Sequence, residues 1–276
     1  MATIGTFDGV HIGHRRLIDE TRQQAAANGL PAIAVTFDRH PMAIVRPDSV
    51  PRLLTGLDHK LELLRAADVE VVVLKFDAAL AAASAEEFVR SVLLDRLGVR
   101  GLVVGSSFRF GHRQRGDAAL LESMGASLGF SVTAIELVVD DAEHTVVSSS
   151  FIRSLVEGAH LDEARRLLAR HHEVRGDVVD APSGLIAIPA ELLVPPAGEY
   201  RVSWSTKAVA GTGVARVPEV GATTSIELRP DRHGSDDGTT SPLANGARLA
   251  LRFVARTSEA PGAGRFRPTS GREGHR

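Results

Sequence analysis

The sequence predicts an α/β protein: a parallel sheet covered by helices on both sides, followed by a small antiparallel β domain. Three observations carry this. Short β-rich runs alternate with helical stretches over the first 140 residues, the pattern of a sheet with helical crossovers. The runs Val71-Val72-Val73-Leu74 and Leu102-Val103-Val104 are continuously apolar, as central parallel strands buried on both faces are. From Glu173 onward Gly and Pro become frequent and only short β-prone pieces remain, the texture of a small all-β unit.

Strands are expected at Ala2–Thr6, Ala32–Phe37, Glu70–Phe76, Gly101–Gly105 and Ser131–Val139, with helices at about 10–18, 57–67, 84–97 and 116–128. Ser84 and Glu87 have the spacing of a capping box, in which each side chain satisfies a backbone N–H of the other. Phe88, Val92 and Leu97 then share roughly one helical face. Two further helices are expected at about 149–157 and 160–169. Strand pieces follow at Glu173–Val179, Glu199–Ser205, Thr223–Leu228 and Ala247–Val254. Arg232–Gly246, rich in Gly, Ser, Asp and Thr, reads as a flexible loop. Residues 257–276, rich in Gly, Pro and Arg, read as disordered. The expected division is 1–169, 170–256 and a tail at 257–276.

The 276 residues suit one or two domains. Hydrophobic residues make up 43% and charged residues 24%, with a net charge of −2, so there is no overall basic field for nucleic acid. The absence of cysteine excludes disulfides, thiolate metal sites and a cysteine nucleophile. No apolar run approaches the roughly 20 residues needed to span a bilayer, and no secretory signal opens the chain. The expectation is a cytoplasmic enzyme acting on small molecules, with neither nucleic acid nor membrane as partner.

Gly5-Thr6-Phe7-Asp8-Gly9-Val10-His11-Ile12-Gly13-His14 follows the first expected strand and opens the first expected helix. A helix start offers unpaired N–H groups and partial positive charge to a phosphate. Gly5 and Gly9 permit sharp turns and close backbone approach. Gly13 removes a side chain between two imidazoles. His11 and His14, three apart, face one side of a helical turn, where two donors could hydrogen-bond adjacent phosphates. Phosphoryl-type transfer needs alignment and charge neutralisation more than a covalent nucleophile. Standing alone, His-x-x-His also suits surface or capping residues; a zinc site would need a third ligand that the sequence does not show.

Five ordered blocks extend the signal, and together they resemble bacterial FAD synthetase, a member of the H-x-G-H superfamily. They are Gly5 to Ile18; Thr36-Phe37-Asp38-Arg39-His40-Pro41; Leu54-Thr55 with Lys60, Leu63 and Leu64; Val103-Val104-Gly105 with Phe108-Arg109-Phe110-Gly111 and Gly116-Asp117; and Ser148-Ser149-Ser150-Phe151-Ile152-Arg153. The resemblance implies a Rossmann-like nucleotidylyltransferase domain with ATP and FMN as substrates and Mg²⁺ bridging the nucleotide's phosphates. It implies phosphate contacts from His11, His14 and Arg153, and nucleotide binding by Gly5, Phe7, Asp8, Gly9, Gly13, Ser149 and Ser150. It places His40, Pro41, Phe108 and Phe110 near the nucleotide or flavin. Each block has a plainer reading when taken singly: core aromatics for Phe108 and Phe110, a turn for His40-Pro41, a helix cap for Ser148–Ser150 and a solvated helix residue for Lys60. Ser107 stands where the family generally carries Asp or Asn.

In that family a riboflavin kinase β-barrel usually follows. Arg175-Gly176-Asp177-Val178-Val179 and Leu193–Tyr200 resemble parts of it, and Glu227 falls roughly where its catalytic Glu would lie. The P-T-A-N loop that grips ATP and Mg²⁺ is missing; Ala181–Pro189 stands there with no Thr or Asn. The expectation is therefore FMN adenylyl transfer with riboflavin phosphorylation lost, and Glu227 on the surface. The rival readings are a transferase with another phosphomonoester acceptor or CTP, and a non-catalytic flavin or nucleotide sensor.

Overall fold

The computed structural model describes residues 1–140, 144–219, 225–231 and 243–257. Most of the loop expected at Arg232–Gly246, and all of the tail beyond Thr257, lie outside these residues. The chain forms two compact units. The first comprises Met1–Phe151 with Leu167–Ala169, and the second comprises Ile152–Arg166 with the described residues from Arg170 onward.

The first unit holds a parallel sheet of β1 (Ala2–Ile4), β2 (Ile33–Phe37), β3 (Glu70–Leu74), β4 (Gly101–Gly105) and β5 (Ser131–Ile135) in the order β3-β2-β1-β4-β5. The order reverses at β1, which is flanked by β2 and β4. Ligands of such sheets bind beyond the carboxyl ends of the strands at that reversal. The segment leaving β1 there is Gly5–His14.

Helix α1 (Ile12–Ala27) packs on β1 and β4 and buries Ile18, Thr21 and Ala25. It continues nine residues past the expected end, because the Ala and Gln of its last turns are good helix formers and the first stop is Asn28 before left-handed Gly29. The short α2 (Met42–Val45) follows β2, and α3 (Leu57–Arg65) precedes β3. Between β3 and β4 lie α4 (Ala78–Ala82), absent from the expectations, and α5 (Ala85–Glu87), which runs on as a π-helix over Phe88–Arg96. The Ser84–Glu87 capping box is formed: the Ser84 hydroxyl accepts the Glu87 N–H at 3.1 Å, and the Glu87 carboxylate accepts the Ser84 N–H at 2.8 Å. Buried Phe88 packs into the core on that face with Leu93, Leu102, Val104 and Phe110, and Val92 and Leu97 lie against them.

Helix α6 (Ala118–Leu128) is capped by Asp117, whose carboxylate accepts the Leu120 N–H at 2.9 Å. β5 stops at Ile135 rather than Val139. The chain then forms a separate antiparallel pair, β6 (Val139–Asp140) with β7 (Thr145–Val146). Helices α7 (Ser149–Glu157) and α8 (Leu161–Leu168) fall where the sequence predicts them.

In the second unit β8 (His172–Asp180), β9 (Leu185–Ala187), β10 (Gly198–Ser205), β11 (Ala210–Val217), β12 (Ser225–Pro230) and β13 (Arg248–Arg256) close an antiparallel barrel in the order β10-β11-β12-β9-β8-β13. Tyr200, Val202, Trp204, Ile226, Leu251 and Phe253 are buried in it. Sequence reading misses β9 and β11. β11 contains Gly211 and Gly213, poor strand formers by propensity. Here Gly211 leaves room for the Trp204 ring, which a Cβ would meet at 2.8 Å. The Trp204 indole N–H donates to the Thr212 carbonyl at 3.1 Å. Glu227 is exposed on β12, 3.9 Å from Arg216, as expected of a surface residue.

Candidate active site

The loop leaving β1 is tightly coiled. Phe7, Gly9 and Val10 all have positive φ, at 49°, 82° and 40°. For Phe and β-branched Val this is a strained backbone, costing roughly 1–3 kcal/mol each. Burial and hydrogen bonds hold it. Phe7 and Val10 are almost fully buried, and the Val10 N–H donates to the Phe7 carbonyl at 3.1 Å. Gly9 has no room for a side chain: a Cβ would sit 2.9 Å from Leu54.

Asp8 is the centre of the brace. Its buried carboxylate accepts the backbone N–H groups of Leu54 and Thr55, each at 3.1 Å. The Thr55 hydroxyl lies 3.4 Å from Asp8 and accepts the Gly9 N–H at 3.1 Å. The Ser149 hydroxyl donates to the Asp8 backbone carbonyl at 2.8 Å. Three separate sequence blocks therefore meet at this loop.

At its end the chain enters α1 with His11 as N-cap. The His11 Nδ1 accepts the His14 N–H at 3.4 Å. An Nδ1 that accepts places the proton of the neutral ring on Nε2, which is then a donor. The two imidazoles stack, with centroids 3.6 Å apart, and the Phe7 ring meets His14 edge-on at 5.1 Å. Gly13 lies against this pair: a Cβ there would come within 3.2 Å of the His11 ring.

The structure thus brings Gly5, Phe7, Asp8, Gly9, His11, Gly13, His14 and Ser149 into one neighbourhood. Ser148 caps α7 by accepting the Phe151 N–H at 3.2 Å, and Ser150 is exposed in the first turn of that helix. His40 and Pro41 follow the carboxyl end of β2, where His40 Nδ1 accepts the Met42 N–H at 3.2 Å and Pro41 precedes α2. Phe108 and Phe110 follow β4 and stack on each other at 5.5 Å. Phe110 is a core residue, 6.0 Å from Phe88, while Phe108 is partly buried against the same core. Arg153 lies on α7 in the second compact unit.

Lys60 corrects the sequence reading. It is not solvated: only 8% exposed, its ammonium donates to the carbonyls of Thr6 at 3.2 Å and Phe37 at 2.9 Å. Burial lowers its pKa from 10.5 to about 8, against the pull of Asp8 and Asp38. The signal was present: Lys60 precedes buried Leu64 by four residues, on the same helical face. Among the described residues no three His, Asp or Glu side chains gather to hold a metal ion, and the Asp8 carboxylate is committed to the backbone of Leu54 and Thr55.

A parallel α/β sheet with a glycine-flanked, histidine-bearing helix start at its strand-order reversal is the architecture of a nucleotidyltransferase. Residues 1–151, more than half of the chain, match the family described as FAD synthetase. The chain belongs to the FAD synthetase family. It is similar to proteins named bifunctional riboflavin kinase/FMN adenylyltransferase. One, from Escherichia coli (strain K12), is 34% identical over 178 residues, 64% of this chain and 56% of that protein. One from Pseudomonas fluorescens is 34% identical over 227 residues, 79% of this chain and 72% of that protein. One from Buchnera aphidicola subsp. Schizaphis graminum (strain Sg) is 26% identical over 178 residues, 64% of this chain and 57% of that protein. The match to the Escherichia and Buchnera proteins thus spans little more than half their length. A solved structure described as a macrolide-efflux protein from Streptococcus pneumoniae superposes with a TM-score of 0.76 over 95% of this chain and 88% of that one. At 20% identity that likeness shows the fold alone. Among the described residues no helix is long and apolar enough to cross a membrane.

Proposed function

We propose that the protein is an FMN adenylyltransferase, transferring AMP from ATP to FMN to give FAD and pyrophosphate. The observation that carries this reading is the stacked His11–His14 pair at the start of α1, beside a strained loop at the point of strand-order reversal. A phosphate oxygen of FMN attacks the α-phosphorus of ATP. The new P–O bond forms as the bond to the β-phosphate bridge breaks, and pyrophosphate leaves. His11 and His14 donate hydrogen bonds to the phosphates, and the start of α1 adds its partial positive charge. Such preorganised donors stabilise charge that develops on the departing oxygens.

Arg153 is proposed as a further phosphate ligand, in keeping with its planar, permanent charge. Ser149 and Ser150 are proposed at the nucleotide, with His40, Pro41 and Phe108 toward the flavin; Phe110 supports Phe108 from behind. Mg²⁺ would be held by the nucleotide's own oxygens, which suits a loop whose one buried carboxylate already serves the backbone; when bound it would neutralise phosphate charge. The proposed division into a transferase domain at 1–169 and a degenerate kinase-like domain at 170–256 leaves riboflavin unphosphorylated. In support, Ala181–Pro189 supplies no Thr or Asn, and Glu227 is exposed and close to Arg216.

The test is incubation of purified protein with MgATP and either FMN or riboflavin, with flavins separated by chromatography. FAD from FMN and unchanged riboflavin are expected. Pyrophosphate release only with CTP or another phosphomonoester would replace the acceptor or donor, a question that Ser107 in the exposed turn after β4 makes specific. Tight binding of ATP and FMN without FAD would make the protein a sensor.

A further inference from the structure

Lys60 is a buried cation that the transfer step above does not use. Parallel strands end in carbonyls that their ladder does not consume, and this side chain serves two of them. The Thr6 carbonyl, at the base of the strained loop, accepts from Lys60 Nζ and from the Thr36 hydroxyl, each at 3.2 Å. The Phe37 carbonyl, at the end of β2, accepts from Lys60 Nζ at 2.9 Å. Two carboxylates act on the ammonium, Asp8 from the β1 loop and Asp38 from the β2 loop. Asp8 holds Leu54 and Thr55, the residues leading into the helix that carries Lys60. Asp38 accepts the Phe76 N–H beyond β3 at 2.8 Å and pairs with Arg39 at 3.1 Å. One cation therefore ties together the chain leaving β1 and β2 and, through Asp38, the chain leaving β3.

Burying an ammonium is costly, and the carbonyls of Thr6 and Phe37 offset that cost only in part, as the fall of its pKa to about 8 records; a neutral donor would satisfy the same carbonyls at lower cost. We propose that Lys60 is a positioning residue for nucleotide binding: its ammonium clamps the carboxyl ends of β1 and β2 so that the loop carrying Asp8 delivers His11 and His14 to the phosphates. The inference rests on the adenylyl-transfer reading for the identity of the nucleotide. The lowered pKa makes the clamp testable without mutation, because the ammonium loses its proton just above neutral pH.

The experiment measures the Kd of MgATP by titration calorimetry between pH 7 and pH 9.5 for wild type, Lys60→Met and Lys60→Arg, with FAD formation followed in parallel. At pH 7 Lys60→Met is expected to bind about tenfold more weakly, the loss of roughly one charge-assisted hydrogen bond. Wild-type affinity is expected to fall as pH rises through about 8, while Lys60→Met stays flat. Lys60→Arg, charged throughout, is expected to keep at pH 9.5 the affinity it has at pH 7. Should Lys60→Met fail to fold, wild type against Lys60→Arg decides the matter. Wild-type affinity in Lys60→Met, or superimposable pH profiles in wild type and either variant, would overturn the clamp. A Lys60-dependent pH profile with no FAD formed would support the clamp and overturn the adenylyl-transfer reading. Wild-type protein that binds no MgATP would overturn both.

Discussion

The imidazole rings of His11 and His14 lie face to face, with centroids 3.6 Å apart and planes inclined by 21°. His11 is the N-cap and His14 lies in the first turn of α1, with Gly13 between them leaving the His11 ring clear of a Cβ that would stand 3.2 Å away.

Gly13→Ala probes that packing. The added Cβ would meet His11 Cε1 and Nδ1 at 3.2 Å, so the ring must move by a few tenths of an ångström. Alanine also favours the helix by up to about 1 kcal/mol. The expected outcome is an unchanged or slightly higher melting temperature with FAD formation about tenfold slower, since misplacing a catalytic group is costly even over short distances. Thermal unfolding and turnover measured on the same preparation check both halves.

Asp8→Ala removes the acceptor for the N–H groups of Leu54 and Thr55 and leaves those donors buried. Destabilisation by about 2–4 kcal/mol is expected, read from urea unfolding. Asp8→Asn, which keeps one carbonyl acceptor, should lose less.

Lys60 gives stability a pH dependence of definite sign. Its folded pKa, about 8, lies below the ordinary 10.5, so between these values the unfolded chain binds the proton that the folded chain has released. Stability contributed by this residue therefore rises with pH across that window. At about 1.4 kcal/mol per pH unit the interval amounts to on the order of 3 kcal/mol. The difference in unfolding free energy between wild type and Lys60→Met, measured at pH 7 and at pH 10, isolates the effect and should shift toward wild type at the higher pH. Binding and stability thus respond to deprotonation in opposite directions.

Phe110 belongs to the core under β4, between Phe88 and Phe108. Truncation to Ala should cost about 3–5 kcal/mol, seen as a lowered denaturant midpoint. Phe108→Ala, at a partly buried ring, should cost less stability and weaken FMN binding more. Calorimetric titration with FMN separates the two variants.

Much of this was legible in the sequence because the deciding signals are local. Continuous apolar runs marked β3 and β4 as strands, but only β4 is central and buried on both faces; β3 is the edge of the sheet and exposes Val73. Ser84 and Glu87 announced their capping box, and the Gly5–His14 spacing announced the helix start and its paired rings. What stayed hidden depends on contacts distant in sequence. β11 is a strand because Gly211 accommodates the Trp204 ring, a pairing that propensity cannot register. Lys60 looked solvated because lysine usually is; its partners are carbonyls 54 and 23 residues away. The role of the Asp8 carboxylate as acceptor for the N–H groups of Leu54 and Thr55, 46 and 47 residues away, was equally out of reach of local pattern.

The most direct test of the central claim is the rate of FAD formation from FMN and MgATP by His14→Ala, set beside its thermal unfolding. Loss of one preorganised phosphate donor should slow the reaction roughly 100-fold or more, with the unfolding transition close to that of wild type. A variant that forms FAD at the wild-type rate would contradict the account, because the stacked imidazoles would then take no part in the transfer.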